Sequence, residues 1–153
     1  KATQIVRGRT IMFSKILVAI DGSEIRRRAF AMAVDLAKQN KAELHAIYVI
    51  ESGIVSPAPV DTTWELIYER FEKEGHAIIT ELVSDAKAKG IVVEPHIEAG
   101  HAGDTIIETS TKIGADLIIL GSLGKSILDR LLLGSVSSYV VNYSKTNILI
   151  VRT

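Results

Sequence analysis

Three glycines and a serine carry the most readable chemistry in this chain. They are Gly121 and Gly124, within Gly121-Ser122-Leu123-Gly124-Lys125-Ser126, and the later pair Gly134-Ser135. The apolar run Leu117-Ile118-Ile119-Leu120 leads into the segment, and the pattern predicts a helix from Ser135, with Ser135 as its cap. Glycines let backbone N–H groups come close to an anion, and a helix N-terminus adds free donors and positive potential. The segment therefore suits a phosphate. A tight strand-to-helix turn needs glycines for steric reasons alone, so the spacing leaves both readings open. Two better-known phosphate motifs are excluded. Gly124-Lys125-Ser126 is like the end of a Walker A loop, but that motif requires glycine where Ile119 stands, and no G-x-G-x-x-G is present.

Other side chains bear on the same chemistry. Lys125 and Arg130 lie inside the glycine segment; either could reach phosphate oxygens or face solvent. Asp21 follows the first apolar run. A carboxylate there can order a turn, or accept hydrogen bonds from ribose hydroxyls. The histidines His45, His76, His96 and His101 lack metal-ligand spacing, so none is read as a ligand. Any Mg²⁺ is expected on the phosphates of a bound ligand and on water.

These residues need a scaffold, and the composition bounds it. At 153 residues the chain is long enough for one domain with a sizeable core. A formal net charge of zero argues against nucleic acid or an anionic membrane as the main partner. With no cysteine, disulfides, thiolate catalysis and thiolate metal sites are excluded. The apolar runs are too short to span a bilayer and no secretory signal is visible, so cytoplasm is the expected location. Residues 1–11 are polar and basic without periodicity; they are read as a tag or a disordered N-terminal arm, with Met12 as a natural start and 12–153 as the domain.

Short apolar runs alternate with helical patterns. Strands are predicted over Ile16–Ile20, Glu43–Ile50, Ile91–Ile97, Asp116–Leu120 and Asn147–Val151. Helices are predicted from Ser23 to about Gln39, from Asp61 to Lys89, from the turn at Gly100–Asp104 to near Gly114, and from Ser135 to about Tyr143. Pro57 and Pro59 mark a loop after the second strand, and Pro95 suggests that the third strand lies at an edge. The alternation implies a doubly wound open parallel sheet in a single α/β domain. In such sheets ligands sit beyond the carboxyl ends of the strands, where strand order reverses.

Gly121-x-x-Gly124, nine residues, then Gly134-Ser135 resembles the G-x2-G-x9-G-(S/T) pattern of the ATP-binding universal stress proteins. The opening Ile16-Leu17-Val18-Ala19-Ile20-Asp21-Gly22-Ser23-Glu24 is similar to that family's first strand and turn, and the resemblance runs from about Phe13 to Val151. It implies an adenine nucleotide α-hydrolase-like fold with strand order 3-2-1-4-5, which puts Asp21 and Gly121 at one switch point. It further implies that Gly121, Gly124, Gly134, Ser135 and Val136 offer N–H groups to phosphates. Ser122 would lie beside the ribose or phosphates with Lys125 near, Asp21 against the nucleoside, and Ala19, Val49 and Leu120 around adenine. The chain departs from the family at Lys145-Thr146-Asn147-Ile148 and at Gly100-His101-Ala102, where members often carry proline.

The resemblance implies an ATP-binding, nucleotide-dependent regulatory or stress-response module, homodimeric through the last strand, Asn147–Val151. An exposed apolar edge strand is a pairing hazard unless covered, which fits that arrangement. Two alternatives stay open: a slow ATP hydrolase using the same loop, for which Asp21 and Asp129 are the acidic residues at hand, and a nucleotide-free dimeric scaffold. No catalytic residue is assigned.

Overall fold

The computed structural model describes residues 4–6, 9–23, 25–52, 62–122 and 133–152. Its elements in chain order are β1 (Gln4–Val6), β2 (Arg9–Ile11), β3 (Lys15–Ile20), α1 (Ile25–Asn40), β4 (Glu43–Glu51), α2 (Thr62–Ala88), β5 (Val93–Gly100), α3 (Ala102–Ile113), β6 (Leu117–Gly121), α4 (Ser135–Tyr143) and β7 (Asn147–Val151).

An unbroken apolar strand has no face to show to water, so it must be covered on both sides. Ile16, Leu17 and Val18 are such a run and all three are fully buried. They form the middle strand, β3, which pairs in parallel with β4 on one side and β6 on the other. The sheet order is β5-β4-β3-β6-β7, which is 3-2-1-4-5 when only its five strands are counted. Side chains alternate between two cores. Ile16, Val18, Leu44, Ala46 and Ile119 pack under α1 and α2 with Phe30, Val34, Ile79 and Leu82. Leu17, Ile47, Ile118 and Leu120 pack under α3 and α4 with Ile106 and Val140.

The edge position expected from Pro95 holds: among the described residues β5 pairs only with β4, with Pro95 opposite Ala46. This strand starts two residues later than predicted and runs on to Gly100. Gly114 ends α3 at φ 70°, a left-handed conformation that glycine adopts without a Cβ penalty, and its N–H closes on the Ser110 and Thr111 carbonyls. Opposite the carboxyl ends of the strands, the Asp116 carboxylate accepts from the N–H of Ser14 and of Lys15 at 2.9 and 3.0 Å, tying the starts of β3 and β6 together. There β7 begins at Asn147 without the family's proline, with the Asn147 side-chain amide on the Asp116 carbonyl at 3.2 Å. Within the stretch read as a tag or arm, β1 pairs antiparallel with β2, Gln4 opposite Ile11. Among the described residues no helix is long and apolar enough to cross a membrane.

Candidate functional site

Strands β3 and β6 lie side by side, but their chains leave the sheet toward opposite faces: α1 covers one core and α4 the other. That divergence leaves a crevice of about 120 Å³ at their carboxyl ends. Ala19, Ile47, Val49 and Leu120 form its apolar floor; Asp21, Gly121, Gly134, Ser135 and Val136 form a polar rim; and Ala102 and Ile106 of α3 close the third side.

Asp21 directly follows β3 and is exposed. Its Oδ1 accepts from the Ser23 N–H at 2.8 Å and from the Ser23 hydroxyl, an Asx turn that sets the chain toward α1. Oδ2 has no partner among the described residues. The turn-ordering and ligand-facing readings of Asp21 are therefore compatible, one oxygen for each.

The start of α4 differs from expectation. Gly134, not Ser135, is the N-cap, with φ −61° and ψ 164°, and it makes no side-chain cap hydrogen bond. Glycine is an acceptable N-cap, and here a tertiary bond fixes its extended backbone: the Gly134 N–H donates to the Ser122 carbonyl at 2.8 Å. Ser135 becomes the first helical residue. The first intrahelical bond runs from the Ser138 N–H to the Gly134 carbonyl at 2.9 Å. The N–H groups of Ser135 and Val136 precede it, so they have no intrahelical acceptor. They stand on the crevice rim with the positive end of the helix dipole behind them. The Ser137 hydroxyl donates to the Gly121 carbonyl at 2.7 Å, holding that helix start to the end of β6.

Ser122 is placed behind the rim. It is 3 % exposed and does not line the crevice. Its N–H donates to the Val151 carbonyl at 2.8 Å and its own carbonyl takes the Gly134 N–H, so it clasps β7 to the start of α4. Gly124 and Lys125 lie outside the described residues, as do Asp129 and Arg130. The crevice thus brings together Ala19, Asp21, Val49, Leu120, Gly121, Gly134, Ser135 and Val136 of the residues expected there.

Besides Ile20 and Ser137, chain neighbours of expected residues, it also includes Ile47, Ala102 and Ile106, which sequence reasoning missed. The period-two signal of β4 carries the first, since Ile47 and Val49 share a face. No local signal marks the other two. They reach the site because α3 starts directly at the end of β5, and its N-terminus is fastened there. The Ala102 N–H donates to Glu51 Oε2 at 3.0 Å, and His101, the N-cap, accepts from the Asp104 N–H at 3.4 Å. The Tyr139 hydroxyl of α4 reaches across to Asp104 Oδ1. That hydrogen bond, with desolvation, holds the phenol above its usual pKa.

A second polar cluster lies in the sheet at the opposite end of β4. His45 Nδ1 and His96 Nε2 are 2.9 Å apart across β4 and β5, so one ring nitrogen donates and the other accepts. Burial pushes the His96 pKa down, helped by His45. Beside them, Lys15 Nζ sits 3.3 Å from Glu43 Oε2 and lowers that carboxyl's pKa. Among the described residues no three His, Asp or Glu side chains converge as a metal site.

The chain matches the model of the Universal stress protein family over residues 12–152. A universal stress protein of Methanocaldococcus jannaschii is 32% identical over 148 residues, covering 97% of this chain and 87% of its own. The universal stress protein YxiE of Bacillus subtilis is 36% identical over 149 residues, covering 92% and 100%. Of solved structures, the universal stress protein UspA from Lactobacillus plantarum matches with a TM-score of 0.84 at 25% identity, covering 91% of this chain and 97% of its own. A universal stress protein described as in complex with cAMP matches with a TM-score of 0.69 at 29% identity, covering 92% and 97%.

Proposed function

This chain belongs to the universal stress protein family, and we propose that it binds an adenine nucleotide, ATP foremost, in the crevice between β3 and β6. It then acts as a nucleotide-dependent regulatory module, as a homodimer paired through β7. The observation that carries the reading is the open N-terminus of α4. Ser135 and Val136 present N–H groups without intrahelical acceptors to a crevice whose floor is apolar. An anion at one end and a flat apolar group at the other is the chemistry of a nucleotide. In this reading Ala19, Ile47, Val49 and Leu120 face the base. Asp21 Oδ2 accepts from a ribose hydroxyl. The N–H groups of Gly121, Ser135 and Val136 meet the phosphates, with those of Gly124 and the Lys125 ammonium added from the glycine segment. Ser122 supports the site from behind, and any Mg²⁺ rides on the phosphates. The cAMP complex of one structural relative supports an adenine nucleotide as the ligand class.

The test is mass spectrometry of nucleotide released by denaturing freshly purified protein, with Gly124→Val run beside it. The reading expects ATP or ADP from wild type and none from the variant. A wild type that carries none and fails to bind added ATP contradicts it and favours the nucleotide-free scaffold. Dimerisation is checked by sedimentation, where a monomer at high concentration contradicts pairing through β7.

A further inference from the structure

The crevice has two helical walls, and the Tyr139 side chain bridges them. Tyr139 lies one turn beyond Ser135 on α4, and its ring packs on Gly103 in the first turn of α3. The approach is so close that a Cβ on Gly103 would sit 2.4 Å from Tyr139 Cδ1. The Tyr139 hydroxyl donates to Asp104 Oδ1, and the His101 ring meets the tyrosine edge-on at 4.9 Å between centroids. Gly103 and Asp104 sit between Ala102 and Ile106, the two α3 residues that line the crevice. The contact therefore joins the first turn of α3 to the second turn of α4, one turn beyond the Ser135 and Val136 N–H groups.

The geometry points to Tyr139 as a positioning residue for the nucleotide. Through Asp104 and Gly103 it sets the separation between the α3 wall and the phosphate-facing N–H groups of Ser135 and Val136. This rests on the nucleotide reading above. A ligand that reaches only the floor and the α3 wall does not depend on where α4 begins. A ligand that spans from the floor to the α4 N–H groups does, because hydrogen bonds to an anion weaken steeply as donors move out of line. Tyr139 does not line the crevice, so its effect is felt through the helix it holds.

The test compares ATP with adenosine by calorimetry. Tyr139→Phe keeps the ring on Gly103 and removes only the bond to Asp104. The expected result is a roughly three- to tenfold weaker Kd for ATP, with adenosine unchanged within about twofold. Asp104→Ala should give the same split. Asp104→Asn retains an acceptor oxygen and should restore binding close to wild type. Equal losses for both ligands, or no loss for either, overturn the assignment. Amide hydrogen exchange on the ligand-free protein keeps the two claims apart. Faster exchange at Gly134 and Ser138, whose N–H groups bond to the Ser122 and Gly134 carbonyls at the start of α4, in Tyr139→Phe supports the clamp even if wild type binds neither ligand, in which case it is the nucleotide reading that falls. Unchanged exchange there refutes the clamp whatever the nucleotide result.

Discussion

Two helix N-termini border the same crevice, and they are finished in opposite ways. The start of α3 is closed. The Glu51 carboxylate takes the Ala102 N–H, His101 takes the Asp104 N–H, and Thr105 bonds back to the His101 carbonyl through both its N–H and its hydroxyl. The start of α4 is open, with a glycine cap and no side-chain acceptor. Both helices carry the same dipole, and both begin at the carboxyl ends of strands. What separates them is which orphan donors already have a partner. At α3 the positive end is neutralised by the protein's own carboxylates, Glu51 and Asp104. At α4 it is left for an outside anion. A glycine-capped helix start is less stable than one capped by a serine or carboxylate side chain by about a few tenths of a kcal/mol, a cost that makes sense where a ligand completes the cap.

The most severe way to break this contrast is to close α4. Gly134 has a φ of −61°, which any residue adopts, so Gly134→Asp installs a carboxylate cap without backbone strain. We expect a folded protein, more stable by a few tenths to about 1 kcal/mol in denaturant melts. We also expect ATP affinity to fall by roughly a hundredfold or more, because the new carboxylate stands where the phosphates would. Stability and binding moving in opposite directions separate this from general damage.

The mirror experiment opens α3. Glu51→Ala leaves the Ala102 N–H without its carboxylate, and we expect a loss of about 1–2 kcal/mol in stability. ATP affinity should change by less than about threefold, since the phosphate end is untouched. A smaller effect follows from His101→Ala. At 3.4 Å its bond to the Asp104 N–H is long, so we expect about 0.5 kcal/mol from a thermal or urea melt.

Residues far from both termini sharpen the comparison by acting on stability alone. His96, bonded to His45, faces Glu94 and Glu98 on its own strand and Lys112 of α3. Its pKa is lower folded than unfolded, so the unfolded chain binds more protons in the interval below the ordinary value of about 6.5. Stability from this group is present above that value and is lost as the pH falls through it. Urea midpoints at neutral and mildly acidic pH should show that direction, with His96→Asn flattening the slope. ATP affinity of the variant at neutral pH should match wild type.

Much of this was legible in the sequence where local patterns decide the structure. The limits of α4 and β7 agree with the predicted Ser135–Tyr143 and Asn147–Val151, because capping signals and β-branched runs act within a few residues. The switch-point placement of Asp21 and Gly121 came from the strand order that the family resemblance implies, and the sheet has that order. The misassigned cap shows the limit. Serine is the better intrinsic N-cap, and the long-range bond from Gly134 to Ser122 places the cap one residue earlier. The closure of α3 by Glu51, the His45–His96 pair and the packing of Tyr139 on Gly103 join residues from different elements, so neither periodicity nor spacing could reveal them. The pairing of β1 with β2 had no compositional sign.

The measurement that bears most directly on the open-terminus claim is an amide proton–nitrogen NMR titration with ATP, read against adenosine. The account predicts large shifts at the Ser135 and Val136 amides with ATP and much smaller ones with adenosine, while Ala102, held by Glu51, stays nearly still with both. Shifts at Ala102 and Thr105 with Ser135 and Val136 unmoved would contradict it, and would place the anion at the helix start that the protein has already closed.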